Sequence, residues 1–217
     1  MAKKDLKKGV FITFEGPEGC GKTTQSRLLA EGLIAQGYFV VPTREPGGTK
    51  LGERIRAILL DRHEMAIADR AELLLFEASR AQIVRDVIAP ALEKGAVVIC
   101  DRFSDATKAY QGYGAGQDLA MIGRLDRVAT GGLTPDLTIL LDIPAAQGLR
   151  RATKGGTDRM EGKGRPYHER VRRGYLALAR GDKARVKVIA VRKTIGRTQR
   201  LVAREAERVI QRYTRAG

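Results

Sequence analysis

Lys22 and Thr23 close the segment Gly16-Pro17-Glu18-Gly19-Cys20-Gly21-Lys22-Thr23, which has the spacing G-x-x-x-x-G-K-[ST], and Thr24 follows it. The apolar run Val10-Phe11-Ile12-Thr13-Phe14 stands just before it, separated by Glu15. A buried strand, a glycine-rich turn and a helix beginning near Lys22 aim several backbone N–H groups and the positive end of a helix dipole at one point, where a polyphosphate can sit. In that arrangement Lys22 reaches the β- and γ-phosphates and Thr23 ligates the Mg²⁺ that neutralises them. The expected nucleotide-binding residues are therefore Gly16, Pro17, Glu18, Gly19, Cys20, Gly21, Lys22, Thr23 and Thr24.

More chemistry is expected at the ends of the other apolar runs, because ligands of open α/β sheets bind beyond the C-terminal ends of the strands. The second run leads into Thr43-Arg44-Glu45-Pro46-Gly47-Gly48-Thr49, and Ala96-Val97-Val98-Ile99-Cys100 leads into Asp101-Arg102-Phe103. Asp101 stands where a P-loop enzyme keeps a carboxylate for Mg²⁺ or its water shell. Asp142, after Leu137 to Leu141, has the same local pattern. Asp101 is preferred because Arg102 beside it could neutralise a second phosphate, whereas Asp142 precedes Pro144 at a helix start and reads as well as a cap. The structural alternative for Asp101 and Arg102 is an ion pair with each other at the strand end.

Five apolar runs, Val10 to Phe14, Phe39 to Val41, Ala96 to Cys100, Leu137 to Leu141 and Val186 to Val191, alternate with helical stretches. Short Val- and Ile-rich runs in that alternation are the strands of a parallel sheet covered on both faces. The fold class is α/β, doubly wound, in one domain over residues 1–217. Helices are expected over 22–36, 51–60, 70–89, 105–111, 118–130, 145–152, 166–180 and 197–213, the third ended or kinked by Pro90. In the first of them Gln25, Leu28, Leu29, Gly32, Leu33 and Ile34 form the apolar side. Residues 153–164 hold four glycines and five charges, the composition of a flap rather than of core.

Cys20 and Cys100 show no C-x-x-C and no metal-ligand spacing, so neither a disulfide framework nor a zinc site is expected, and both read as buried thiols. Lys3, Lys4, Lys7 and Lys8 precede an apolar run of only five residues, too short for a signal-peptide core or a membrane span, which points to the cytoplasm. The net charge of +15 lies wholly in residues 150–217, which carry 21 Lys/Arg against 6 Asp/Glu. Arg197, Arg200, Arg204 and Arg208 recur at helical spacing beside Leu201, Val202, Val209 and Ile210, as on a solvated helix face. With no Trp and no aromatic cluster among these arginines, specific nucleic-acid binding is not expected.

The phosphate loop, the Arg44 segment, Leu74-Leu75-Phe76-Glu77-Ala78-Ser79-Arg80, Asp101-Arg102-Phe103 with Ala109-Tyr110-Gln111-Gly112, and Asp158-Arg159-Met160-Glu161 occur in an order and spacing that resemble the bacterial thymidylate kinases. The resemblance runs from about Val10 to Ala179. It implies a P-loop NTPase fold and transfer of the γ-phosphoryl group of ATP to dTMP with Mg²⁺. It further implies that Phe76 stacks on thymine, Arg80 and Thr107 meet the base, and Arg102 holds the acceptor phosphate with Arg44 in the loop lining that pocket. Tyr110 crowds the sugar 2′ position beside Gln111, and Glu18 lies near the 3′-hydroxyl. An arginine over the γ-phosphate must come from the lid, 150–164, because Pro17, Glu18, Gly19 and Cys20 supply no cation. Arg150, Arg151, Lys154 and Arg159 are the candidates, Arg151 first. A homodimer is implied as well. The rivals are a kinase for another pyrimidine monophosphate, and a nucleic-acid-binding P-loop protein without kinase activity. The lid is poorer in arginine than is usual in this subgroup, and Ala190-Val191-Arg192-Lys193 departs from the acidic and small polar pair expected near the adenine.

Overall fold

The computed structural model describes residues 4, 6–61, 66–152 and 159–214. Strands β1 (Val10–Glu15), β2 (Val40–Arg44), β3 (Val97–Asp101), β4 (Leu137–Asp142) and β5 (Val186–Ala190) form one all-parallel sheet in the order β2-β3-β1-β4-β5. The three inner strands are buried almost end to end, and the edge strands β2 and β5 only in part. That is why the inner runs read as unbroken apolar stretches. Successive side chains point to opposite faces. Val10, Ile12 and Phe14 join a core with helices α1 (Lys22–Ala35) and α9 (Ile195–Gln211), while Phe11 joins a second with Ile83, Ile88, Val98 and Phe103.

Register is what positions the site. Phe14 lies opposite Asp101, and Arg44 lies opposite Asp101 on the other side. The residues that follow β1, β2 and β3 therefore leave the sheet along one edge: the phosphate loop, Glu45 and Arg102.

Helices α2 (Lys50–Leu60), α3 (Asp69–Ile83) and α6 (Leu119–Thr130) pack side by side. Helices α7 (Ala145–Ala152) and α8 (Arg165–Gly181) flank residues 159–164. Two helices differ from expectation. Pro90 does not end the third: α3 passes through a π-helical turn, Val84–Ile88, directly into α4 (Ala89–Glu93). Proline clashes with the carbonyl four residues back, and the wider turn just before it relieves that crowding. Helix α5 (Ser104–Thr107) continues as a π-helical segment, Lys108–Gly114, so the stretch that carries Tyr110 and Gln111 outruns its expected end. In α1, Gln25, Leu29 and Leu33 are buried as expected, but Ile34 is 55% exposed because it falls past the edge of the inward stripe. Arg197, Arg200, Arg204 and Arg208 are exposed, opposite the buried Val202, Ala206, Val209 and Ile210 of α9, which makes them a solvated face. Among the described residues no helix is long and apolar enough to cross a membrane.

Candidate active site

At two of its glycines, Gly16 and Gly19, the phosphate loop has no room for a side chain. Gly16, at φ 140°, would place a Cβ 2.4 Å from the Leu141 carbonyl oxygen. Gly19 and Gly148 of α7 seal a second approach: a Cβ on Gly19 would lie 2.1 Å from the Gly148 oxygen, and one on Gly148 2.2 Å from the Glu18 oxygen. Lys22 is buried and donates from Nζ to the carbonyls of Gly16 and Pro17, both at 3.1 Å, with Cys20 Sγ at 3.5 Å. Both cysteines are free, buried thiols, and burial pushes each up from its ordinary value.

Thr23 donates its hydroxyl to Asp101 Oδ2 at 2.5 Å. A hydroxyl and a carboxylate meeting at the cleft are the oxygen donors that suit a hard divalent cation, so this pair fits Mg²⁺. Asp142 is engaged elsewhere, in a two-pronged pair with Arg172 at 2.7 and 2.8 Å, and not as a cap. Asp101 and Arg102 are not paired with each other among the ion pairs of the described residues.

Arg102 instead gives Nη2 to Glu18 Oε1 at 2.7 Å and Nη1 to the Tyr175 hydroxyl at 3.3 Å, with its guanidinium 5.0 Å from the centre of the Tyr110 ring. Tyr110 donates to Glu18 Oε1 at 2.6 Å. Burial pushes the Glu18 carboxyl up, but Arg102, Lys22 and the Tyr110 hydroxyl outweigh it and hold Glu18 down at about 2. Glu15 behaves the opposite way. Burial, reinforced by Asp105, pushes it up to about 7 against the pull of Arg102.

Arg80 is 1% exposed. It bonds Glu45 at 2.9 Å, Glu77 at 2.8 Å, Asp126 at 3.4 Å and the Thr107 hydroxyl at 2.9 Å. With three carboxylates around one guanidinium, burial wins at Glu45 and pushes it up to about 8 even though Arg80 is in contact. Phe76, one turn before Arg80 on α3, is half-buried and lines the same cleft. Gln111 donates to Glu72 Oε1 at 2.9 Å. Glu72 also receives Arg159 at 2.5 Å and Lys163 at 3.3 Å, and these partners hold it below the ordinary carboxylate range despite the cost of burial.

The lid candidates separate by position. Arg159 is tied to Glu72 and to the Leu59 carbonyl on the acceptor side. Arg150 is exposed and does not line the cleft, Lys154 lies outside the described residues, and Arg151 lines the cleft with no ion-pair partner among the described residues. Arg44 also lines it, held by Glu53 at 2.9 and 3.1 Å.

One cleft of about 1340 Å³ is lined at one end by Lys22, Thr23 and Arg151 and at the other by Phe76, Arg80, Arg102, Thr107, Tyr110 and Gln111. A single drug-sized ligand occupies about 300–1000 Å³, so the cleft has room for the reacting ends of two nucleotides. Sequence reasoning had assigned no role to Glu15, Glu45, Glu72 or Tyr175. Glu15 follows an apolar run directly and Glu45 ends the short stretch Pro42-Thr43-Arg44-Glu45 after another, which is a usable signal; Glu72 and Tyr175 sit inside helices with none.

The sequence profile of the thymidylate kinase family matches residues 14–202. The chain belongs to that family. It is similar to the thymidylate kinase of Geobacter sp. strain M21, with 50% identity over 96% of both chains, and to that of Geobacter sulfurreducens, with 52% identity over 83% of this chain and 88% of the relative. The crystal structure of thymidylate kinase from Ehrlichia chaffeensis superposes with a TM-score of 0.76 at 35% identity, covering 91% of this chain and 98% of the other. That likeness gives the sheet the P-loop NTPase fold. In thymidylate kinase terms, the cleft brings every expected acceptor residue together with Glu18, Gly19, Gly21, Lys22, Thr23 and Thr24 of the phosphate loop, while Gly16, Pro17 and Cys20 do not line it.

Proposed function

We propose that this thymidylate kinase transfers the γ-phosphoryl group of ATP to dTMP, giving dTDP and ADP, with the phosphate loop and Lys22 on the donor and Arg102 on the acceptor phosphate. One observation carries the residue assignment: a single cleft is lined by Lys22 and Thr23 at one end and by Arg102, Phe76 and Tyr110 at the other. The acceptor monophosphate carries nearly two negative charges at pH 7, so its oxygen attacks without a strong general base. A bond forms from that oxygen to the γ-phosphorus, the bridging bond to the β-phosphate breaks, and ADP leaves with the electron pair. The obstacle is two anions meeting, and the side chains address it by cationic screening and alignment. Lys22 and Arg151 take the donor phosphates. Thr23 and Asp101 would hold Mg²⁺, which when bound supplies further screening of those phosphates.

Phe76 supplies a face for the base, and Arg80 with Thr107 supplies the polar edge beside it. Tyr110, fixed by Glu18, closes the sugar site on the side where a ribonucleotide carries its extra hydroxyl. A coupled assay of ADP release with ATP tests this: dTMP is the preferred acceptor, and comparable turnover of CMP or AMP overturns the roles given to Phe76, Thr107 and Arg80. The substrates proposed here, ATP and dTMP, suit a cytoplasmic location. Leu51, Ile58, Leu74 and Val128 are large, apolar and exposed on the three adjacent helices α2, α3 and α6, a face that suits a homodimer. Val128→Asp shifting a dimer to monomer in sedimentation would support that face, and no shift would remove it.

A further inference from the structure

Arg102 is the one non-glycine residue among those described whose backbone lies in the left-handed region, at φ 73°. A residue with a side chain is strained there and stays only where its surroundings over-determine it. The Arg102 N–H donates to the Phe14 carbonyl at 2.9 Å, and its own carbonyl accepts from Cys100 Sγ at 3.0 Å. The next amide, of Phe103, donates to Glu15 Oε1 at 2.8 Å, and the Ala106 amide reaches the same oxygen at 3.2 Å. Two consecutive residues of β1, Phe14 through its backbone and Glu15 through its side chain, thus hold two consecutive amides across the kink. Glu15 Oε2 then accepts the Tyr175 hydroxyl at 2.9 Å, and the Tyr175 oxygen accepts from Arg102 Nη1 at 3.3 Å. Neither Glu15, wholly buried, nor Tyr175, 2% exposed, lines the cleft.

We propose that Glu15 and Tyr175 are positioning residues for the acceptor phosphate: Glu15 fixes the kink from which Arg102 projects, and the Tyr175 hydroxyl carries that fix to the guanidinium. The inference rests on the reading that Arg102 holds that phosphate. A long arginine loses much rotamer freedom on gripping a ligand, and a guanidinium already braced from behind loses less of it at that moment. The Tyr175 contact falls on Nη1, which also reaches the Gly16 carbonyl at 3.4 Å, while Nη2 meets Glu18 at the cleft.

The experiment compares dTMP with thymidine, which lacks the phosphate, as ligands for the full-length protein, its Tyr175→Phe, Glu15→Gln and Arg102→Ala variants, and the Tyr175→Phe/Arg102→Ala double variant, by calorimetry. Tyr175→Phe weakens dTMP binding roughly 3- to 10-fold and leaves thymidine within about twofold, since only the phosphate contact is loosened. Glu15→Gln gives a larger loss of the same kind, and KM for ATP is unchanged in both. In the Arg102→Ala background, Tyr175→Phe has no further effect on dTMP, the non-additivity of two groups acting through one contact. If Tyr175→Phe weakens dTMP and thymidine alike, or adds fully to Arg102→Ala, the two residues only hold the fold together and the proposal is overturned. Should Glu15→Gln not fold, the Tyr175→Phe cycle decides alone. If Arg102→Ala itself leaves the preference for dTMP over thymidine intact, it is the assignment of the acceptor phosphate to Arg102 that fails, and the brace has no ligand to serve.

Discussion

On the wall of the cleft proposed for the donor, Lys22 rests on the neutral carbonyls of Gly16 and Pro17, and the loop around it is shaped by glycines. On the wall proposed for the acceptor, cations are gripped by carboxylates: Arg80 by Glu77 of its own helix and by Glu45 and Asp126 from elsewhere, Arg102 by Glu18, Arg159 by Glu72. The difference teaches what each wall is for. A lysine held by neutral carbonyls can turn to an incoming phosphate at small cost, whereas an arginine among buried carboxylates is fixed before any ligand arrives. The donor wall adapts to a polyphosphate that many nucleotides share. The acceptor wall presents a fixed shape, as discrimination among monophosphates requires.

The contrast can be broken by exchanging the expected consequences, beginning with the largest. Lys22→Ala lowers kcat by about 10³ or more while the unfolding transition stays in place, because Lys22 carries chemistry and little stability; a comparable loss of stability would place it among the fixed cations. Arg80→Met does the reverse, costing about 3 kcal/mol or more in urea unfolding, since it leaves buried carboxylates without their partner. Arg151→Ala lowers kcat roughly 10- to 100-fold with KM for dTMP nearly constant, as expected for a contact made in the transition state. A neutral Arg151→Ala beside an inactive Lys154→Ala would move the lid cation to Lys154.

The smallest effect is one of pH. Burial raises the Glu45 carboxyl from its ordinary 4.5 to about 8, so between those values the folded chain keeps a proton that the unfolded chain has released. This group therefore takes stability away as pH rises through that window. Glu45→Gln, which stays neutral, gains steadily on the parent protein as pH rises from 4.5 to 8 in chemical denaturation. A flat difference across that range would show that Arg80 keeps Glu45 ionised throughout.

The donor wall was legible in the sequence because its parts are neighbours: Gly16 to Thr24 are one stretch, and the strand before it and the helix after it announce themselves by pattern. All five strands and the order of the helices were legible for the same reason. The acceptor wall was only half legible. Phe76, Arg80, Arg102 and Tyr110 could be placed through resemblance, yet what fixes them could not, because Glu45 meets Arg80 across 35 residues, Glu18 meets Arg102 across 84 and Glu72 meets Arg159 across 87. No local pattern encodes such pairs; they follow from strand order and register. Pro90 shows a different limit. The rule that proline breaks a helix holds for α-geometry, and a π-turn just upstream lets the chain run on.

The mutual closeness of Gly19 and Gly148 has its own consequence. Because neither backbone leaves space for so much as a methyl group between them, the α7 stretch that leads into the lid rests directly on the phosphate loop. Arg151 stands one helical turn beyond that contact, so its place in the cleft is set by the same contact that shapes the loop. An alanine at Gly148 would part the two surfaces and carry Arg151 away from the phosphates proposed for it, disabling the lid from a position that does not line the cleft.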